Sequence, residues 1–142
     1  MPDRHAEAEW DGNLREGRGR LKVESGAFQG PYSFRDRFED GKGTNPEELL
    51  GAAHAGCFSM ALAAGLTASG KPPSHIHTTA TVRLEREGEA FAITKIDLAT
   101  EASVPGITPA EFQAQAQKAK TGCPVSKALA GSAITLTARL VG

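Results

Sequence analysis

The feature that most constrains this chain is the run from Leu49 to Leu66, 18 residues without a formal charge. That length just reaches the minimum for a membrane span. Its composition points elsewhere, because Gly51, Ala52, Ala53, Ala55, Gly56, Ser59, Ala61, Ala63, Ala64 and Gly65 gain little on transfer to lipid. No second apolar run offers a partner span, so no membrane association is expected. The run reads as a buried helix. Asn45 is placed to cap it, Pro46 suits the first helical position, and Glu48 stands three residues after Asn45 as in a capping box. Gly70 and Pro72-Pro73 predict its end near Ser69. Being apolar on nearly every side, it is expected to be enclosed on all sides, and its small residues leave room for a partner helix to lie close.

Before the helix, short strands are predicted around His5 to Trp10, Leu21 to Glu24 and Tyr32 to Phe38, separated by glycines. After it, Ile76, Thr78, Ala80, Val82 and Leu84 alternate with His77, Thr79, Thr81 and Arg83, which is a one-sided strand. Glu87-Gly88-Glu89 turns into a second run, Phe91 to Val104, whose alternation slips between Ile93 and Ile96 as a bulge would make it. Pro109 and Pro124 open two further helices, and Ile134, Leu136, Ala138 and Leu140 form a last amphipathic strand. The order βββ-α-ββ-α-α-β predicts an α+β fold, with residues 1–142 as a single domain.

Charge narrows the function. With 16 Lys plus Arg against 17 Asp plus Glu and no basic tract, nucleic acid finds nothing to bind. Asp3, Arg4, Glu7 and Glu9 interrupt what would be the core of a signal peptide, and two cysteines 66 positions apart do not staple a secreted scaffold, so a cytoplasmic location is expected.

The two thiols then carry the chemistry. Cys57 lies mid-helix among Ala55, Gly56, Phe58 and Met60, where a core thiol is the plain reading. Cys123, in Thr121-Gly122-Cys123-Pro124, stands at a helix entry after Lys118 and Lys120, a setting that favours a thiolate, although a cysteine there can simply cap. A cytoplasmic chain has few structural uses for two thiols, so redox chemistry is the natural use: a thiolate attacks a peroxide, becomes a sulfenic acid and condenses with a second thiol. That cycle needs a cation. Arg15, Arg18, Arg20, Arg35 and Arg37 are available, and composition does not choose among them. No metal cluster is evident: His54 and Cys57 supply two ligands, and His75 and His77 lack a third.

Arg37-Phe38-Glu39, Gly43-Thr44-Asn45-Pro46-Glu47-Glu48-Leu49, His54-Ala55-Gly56-Cys57-Phe58-Ser59-Met60-Ala61-Leu62, Phe91-Ala92-Ile93-Thr94-Lys95-Ile96 and Ala119-Lys120-Thr121-Gly122-Cys123-Pro124-Val125-Ser126 resemble the osmotically inducible protein C (OsmC) family. The resemblance implies a thiol-dependent peroxidase for organic hydroperoxides, and more weakly hydrogen peroxide, with no metal, haem or other cofactor. It implies an intertwined homodimer with antiparallel sheets around two central helices, and an external dithiol as reductant. By the same resemblance, Cys57 matches the peroxidatic cysteine, Cys123 the resolving cysteine, and Arg37 and Glu47 the pair that activates the first sulfur. This opposes the local reading, in which Cys123 is the better thiolate.

Geometry adds one condition. Glu47 precedes Cys57 by ten helical residues, about 15 Å of rise and roughly 280° of rotation, so the two meet only if a second subunit delivers Glu47 or the helix breaks. Glu48 is then left to serve the helix N-terminus, or the two carboxylates exchange these roles. In the related organic hydroperoxide resistance (Ohr) proteins the arginine lies in an earlier loop, which would bring in Arg18 or Arg20; the Arg37 block resembles the OsmC branch more closely. Phe28, Phe34, Phe38, Phe58 and Met60 are expected to line the substrate entry. Two other classes stay open: a cysteine hydrolase or acyltransferase using Cys57 with His54 as base, and a non-catalytic stress-induced binding protein with inert thiols.

Overall fold

The computed structural model describes residues 1–142. The chain forms two compact units, Met1–Leu49 and Leu50–Gly142.

In the first unit, strands β1 (Ala6–Asp11), β2 (Arg18–Val23) and β3 (Gln29–Tyr32) form an antiparallel sheet in that order. The strand expected over Tyr32 to Phe38 stops at Tyr32, and Phe34–Phe38 is instead a short helix, α1. Local chemistry explains the difference. The Ser33 hydroxyl accepts the Asp36 N–H at 3.2 Å, an N-cap bond that starts a helical turn where alternation alone suggests a strand. Helix α2 (Pro46–Ala68) begins as expected, with Asn45 Oδ1 accepting the Glu48 N–H at 2.8 Å. The capping box is not reciprocal, however, because the Glu48 carboxylate takes the Thr44 hydroxyl at 2.7 Å.

In the second unit, α2 ends where Gly70 adopts φ +81°, with the Gly70 and Lys71 amides bonded back to the Thr67 and Leu66 carbonyls. This left-handed C-cap is one that only glycine forms without strain. Strands β4 (His75–Glu87) and β5 (Ala90–Ser103) pair antiparallel, turning at Gly88 with φ +67°. Their register shifts where Arg83 faces Lys95 and Leu84 faces Ile93, so Thr94 is the extra residue inside the segment where the alternation slips. Helices α3 (Pro109–Gly122) and α4 (Pro124–Ala128) follow, then β6 (Ala133–Leu140). Thr108 and Glu111 close a full capping box on α3.

The second sheet has the order β4-β5-β6 and departs from the antiparallel expectation, since β6 runs parallel to β5. The cause is the connection. A hairpin reverses the chain, whereas a helical crossover, here α3 and α4, returns it to the same end of the sheet. The core joins Phe58, Leu62 and Leu66 of α2 to Ile96, Leu98 and Ala102 of β5, adjoining Val104, and Phe112, Ala116 and Ala119 of α3. Each fully buried large apolar side chain contributes about 1.5–3 kcal/mol.

Helix α2 is not enclosed on all sides, contrary to the expectation from its composition. It buries the stripe Gly51, His54, Phe58, Leu62 and Leu66, while Ala52, Ala53, Gly56, Met60 and Ala64 are exposed within one chain, Met60 by 76%. It remains long and apolar enough to cross a membrane by length and composition, but a helix whose buried stripe forms a folded core passes that same test.

Candidate functional site

Two constellations of the expected residues form, one in each unit. In the first, Arg37 Nε and Nη2 donate to Glu47 Oε1 and Oε2 at 3.1 and 3.2 Å. Such a two-pronged pair is planar and fixed, which a lysine cannot reproduce. The Glu47 side chain is nearly buried and that of Arg37 about one-third exposed. Glu48 is occupied at the helix start, so Glu47 is the carboxylate that meets Arg37. Arg18 and Arg20 lie exposed on β2.

The sequence between α1 and α2 makes this pairing possible. Asp36 Oδ1 accepts the Gly43 N–H at 2.7 Å, the Asn45 side-chain amide donates to the Asp36 carbonyl at 3.2 Å, and the Thr44 N–H donates to the Pro31 carbonyl at 2.9 Å. A Cβ at Gly43 would stand 2.3 Å from the Asp36 carboxylate, so glycine is required for that approach. With the loop so tied, α1 presents Arg37 to the first turn of α2.

Arg37 also borders a cavity of about 260 Å³ lined by Trp10, Leu14, Tyr32, Ser33, Phe34 and Phe38. The Phe34 and Phe38 rings pack at 4.9 Å, and the Arg37 guanidinium lies 5.5 Å from the Phe38 centroid. Of the five apolar residues expected at a substrate entry, Phe34 and Phe38 line this cavity. Phe58 does not, being wholly buried in the core of the second unit, while Phe28 covers Gly30 and Met60 projects from the exposed stripe of α2. Hydrophobicity alone does not separate a core ring from a cavity ring.

In the second unit the two sulfurs meet. Cys123 Sγ and Cys57 Sγ are 2.8 Å apart, both as free thiols, although 66 residues separate them in the chain. Cys57 is half-buried on α2 and Cys123 fully buried at the N-cap position of α4. A disulfide bond is about 2.0 Å long, so the pair needs little motion to form one.

Their environments differ. Burial raises the Cys57 thiol pKa, and the hydrogen bond it shares with Cys123 raises it further, against a smaller lowering by the Val125 amide. At Cys123 burial also acts upward, but the bonds from Cys57, from the Ser126 amide and hydroxyl, and from the Val125 amide together outweigh it, so its pKa falls. The sulfur closes no short cap bond of its own. Those amides belong to the first turn of α4 and favour negative charge.

His54 and Ser126 complete the surroundings. His54 is fully buried one turn before Cys57, and its Nε2 lies 2.7 Å from Ser126 Oγ, while Nδ1 has no partner. Burial lowers its pKa, so it is neutral. Its engaged nitrogen faces Ser126 rather than Cys57, which leaves a Cys57–His54 base pair unformed. Ser126 escaped the sequence reading. The one available signal was its place three residues after Cys123, the N-cap to N3 relation that brings a hydroxyl back to the cap.

Two adjacent free thiols, one at a helix entry and one midway along a neighbouring helix, define a dithiol protein. The comparisons place this chain more narrowly. The OsmC-like protein family model matches residues 39–139. Peroxiredoxin OsmC of Escherichia coli is 53% identical over 124 residues, 87% of each chain, and an organic hydroperoxide resistance protein-like relative from Staphylococcus aureus is 35% identical over 94 residues, 66% of each. The solved OsmC-like protein of Mycoplasma pneumoniae shares the fold, with a TM-score of 0.76 and 17% identity over 99% of both chains. The chain belongs to the OsmC family.

Proposed function

We propose that this protein is a thiol-dependent peroxidase that reduces organic hydroperoxides, and more weakly hydrogen peroxide. The observation that carries the reading is the 2.8 Å separation of the Cys57 and Cys123 sulfurs. The names of its relatives, a peroxiredoxin and an organic hydroperoxide resistance protein-like chain, support it.

In the proposed cycle the Cys57 thiolate attacks the terminal peroxide oxygen. The O–O bond breaks, the alkoxide leaves as an alcohol after taking a proton, and Cys57 becomes a sulfenic acid. Cys123 then attacks that sulfur, water is lost and an intramolecular disulfide forms; an external dithiol, itself oxidised to a disulfide, restores both thiols. The Arg37–Glu47 pair supplies the fixed positive charge and N–H donors that hold the Cys57 thiolate and the peroxide oxygens. The apolar cavity beside Arg37 suits an organic substituent better than water-like hydrogen peroxide. No metal or other cofactor takes part.

Glu47 and Cys57 belong to one unbroken helix ten residues apart, so the pair serves the Cys57 of a second subunit in a homodimer. The exposed stripe of Ala53, Gly56, Met60 and Ala64 on α2 supports this, because it is apolar and low enough in profile for two helices to lie close. On this reading all 142 residues act as one domain in a cytoplasmic enzyme. One equivalent of cumene hydroperoxide should yield a Cys57–Cys123 crosslink by mass spectrometry, and Cys57→Ser should abolish consumption. Undiminished consumption by that variant defeats the proposal.

A further inference from the structure

We propose that the buried contact between His54 and Ser126 is a strut that holds α4 against α2 one turn away from the thiols, and so positions Cys123 to close the disulfide with Cys57. Both act as positioning residues. The inference rests on the peroxidase reading for the step it serves.

The two segments meet at two points. His54 Nε2 is 2.7 Å from Ser126 Oγ, and Cys57 Sγ is 2.8 Å from Cys123 Sγ. On α2 the two members stand three residues apart, which puts them on one face a turn from each other. On the other side they are the N-cap of α4 and the third residue of its first turn. The earlier residue of α2 meets the later one of α4, so the segments run past each other in opposite directions, joined by one polar rung and one sulfur rung. A single point of contact would let α4 pivot about it, whereas two points a turn apart fix its register.

Little else fixes that register. Over residues 121–130 only Cys123 and Ser126 are buried; Val125 and Leu129 are partly so, and the rest are exposed. Cys123 is also the joint between α3 and α4. Its N–H donates to the Ala119 carbonyl at 3.0 Å, which ties one flank to α3, and its backbone leaves helical geometry with ψ 127° before α4 begins. The direction of its Cα–Cβ bond, and with it the place of the sulfur, depends on both flanks: α3 sets one and the strut sets the other. His54 is fully buried and its Nδ1 has no partner, so Ser126 is what holds the ring by a polar contact. Breaking a buried hydrogen bond leaves both partners unsatisfied, so the strut resists displacement as an exposed contact does not. In the resolving step the Cys123 sulfur bonds to the Cys57 sulfenic sulfur, the S–O bond breaks, and the departing hydroxide leaves as water with the proton of the Cys123 thiol. With the strut already formed, the new bond has no ordering of α4 left to supply, which raises the effective concentration of one sulfur at the other.

The test equilibrates folded wild type, Ser126→Ala, His54→Leu and His54→Gln with reduced and oxidised glutathione, and counts thiols by alkylation and mass spectrometry. Glutamine is included because its Nε2 reaches the place of histidine Nε2. Each Cys57–Cys123 bond reduced turns two glutathione thiols into one glutathione disulfide. Losing the strut should weaken the protein disulfide about tenfold in Ser126→Ala and His54→Leu, a shift of about 30 mV toward easier reduction, while His54→Gln stays near wild type. After one equivalent of organic hydroperoxide, the Cys57 sulfenic acid trapped by dimedone should last about tenfold longer in the first two variants. A folded Ser126→Ala that loses stability in urea but keeps the wild-type glutathione equilibrium shows ordinary core packing and overturns the proposal, as does a folded His54→Gln that follows His54→Leu. Failure of the peroxidase reading shows separately, as wild-type Cys57 that peroxide does not oxidise, because the glutathione titration uses no peroxide.

Discussion

The Arg37–Glu47 pair admits a quantitative test that separates its structural worth from its chemical one. Glu47 is only 8% exposed, and its carboxylate accepts both prongs of the guanidinium at 3.1 and 3.2 Å. A hydrogen bond to a charged group is worth about 1.5–3 kcal/mol when shielded. Because the Arg37 side chain is 38% exposed, solvent screens part of this, and the pair's coupling should be about 1–2 kcal/mol, above that of ordinary surface pairs. A double-mutant cycle of Arg37→Met and Glu47→Gln, read by urea unfolding of the reduced protein, measures that coupling directly. Arg37→Lys should keep about half of it, since an ammonium meets the carboxylate at one point. Its loss in the second-order rate with organic hydroperoxide should be far larger, on the order of a hundredfold, because the planar donors are what the peroxide oxygens would use. A coupling near zero, or an Arg37→Lys enzyme as fast as wild type, would refute the reasoning.

Three further outcomes are expected. Phe58→Ala, at a fully buried ring, should lower stability by about 3–5 kcal/mol in denaturant titration, whereas Phe34→Ala should cost much less and act mainly on the Michaelis constant for bulky hydroperoxides. Met60→Glu, on the exposed stripe of α2 proposed as the seam between two copies, should leave the secondary structure seen by circular dichroism intact but halve the mass measured by light scattering, and an unchanged mass would refute that seam. The folded pKa of His54 lies below its ordinary value of 6.5, so the unfolded chain binds its proton first; stability is full above 6.5 and should fall as pH drops from there toward the folded value, a loss absent in His54→Gln.

The elements whose origin is local were legible before any coordinates. The Asn45-Pro46 start and Gly70 stop of α2, the turn at Gly88, the slip near Thr94 and the Pro109 and Pro124 helix starts are all written in side-chain hydrogen bonding, ring constraint or period. Where local chemistry overrides period, the reading went astray: Ser33 capping turned an expected strand into α1, and the crossover by α3 and α4 made β6 parallel. The OsmC likeness drew attention to these side chains without saying how they meet.

Meeting is a tertiary matter. Nothing in residue order places Cys57 2.8 Å from Cys123, closes Arg37 onto Glu47 rather than Glu48, or sets Ser126 against His54. The two sulfurs, and His54 with Ser126, meet because the core of α2, β5 and α3 packs in one register, whereas Arg37 meets Glu47 through the tied loop between α1 and α2. Sequence by itself determined which groups could ionise, cap and turn, since those are properties of single side chains and their near neighbours. Only the packed chain decided which of them share a boundary, since burial and hydrogen-bond geometry belong to pairs.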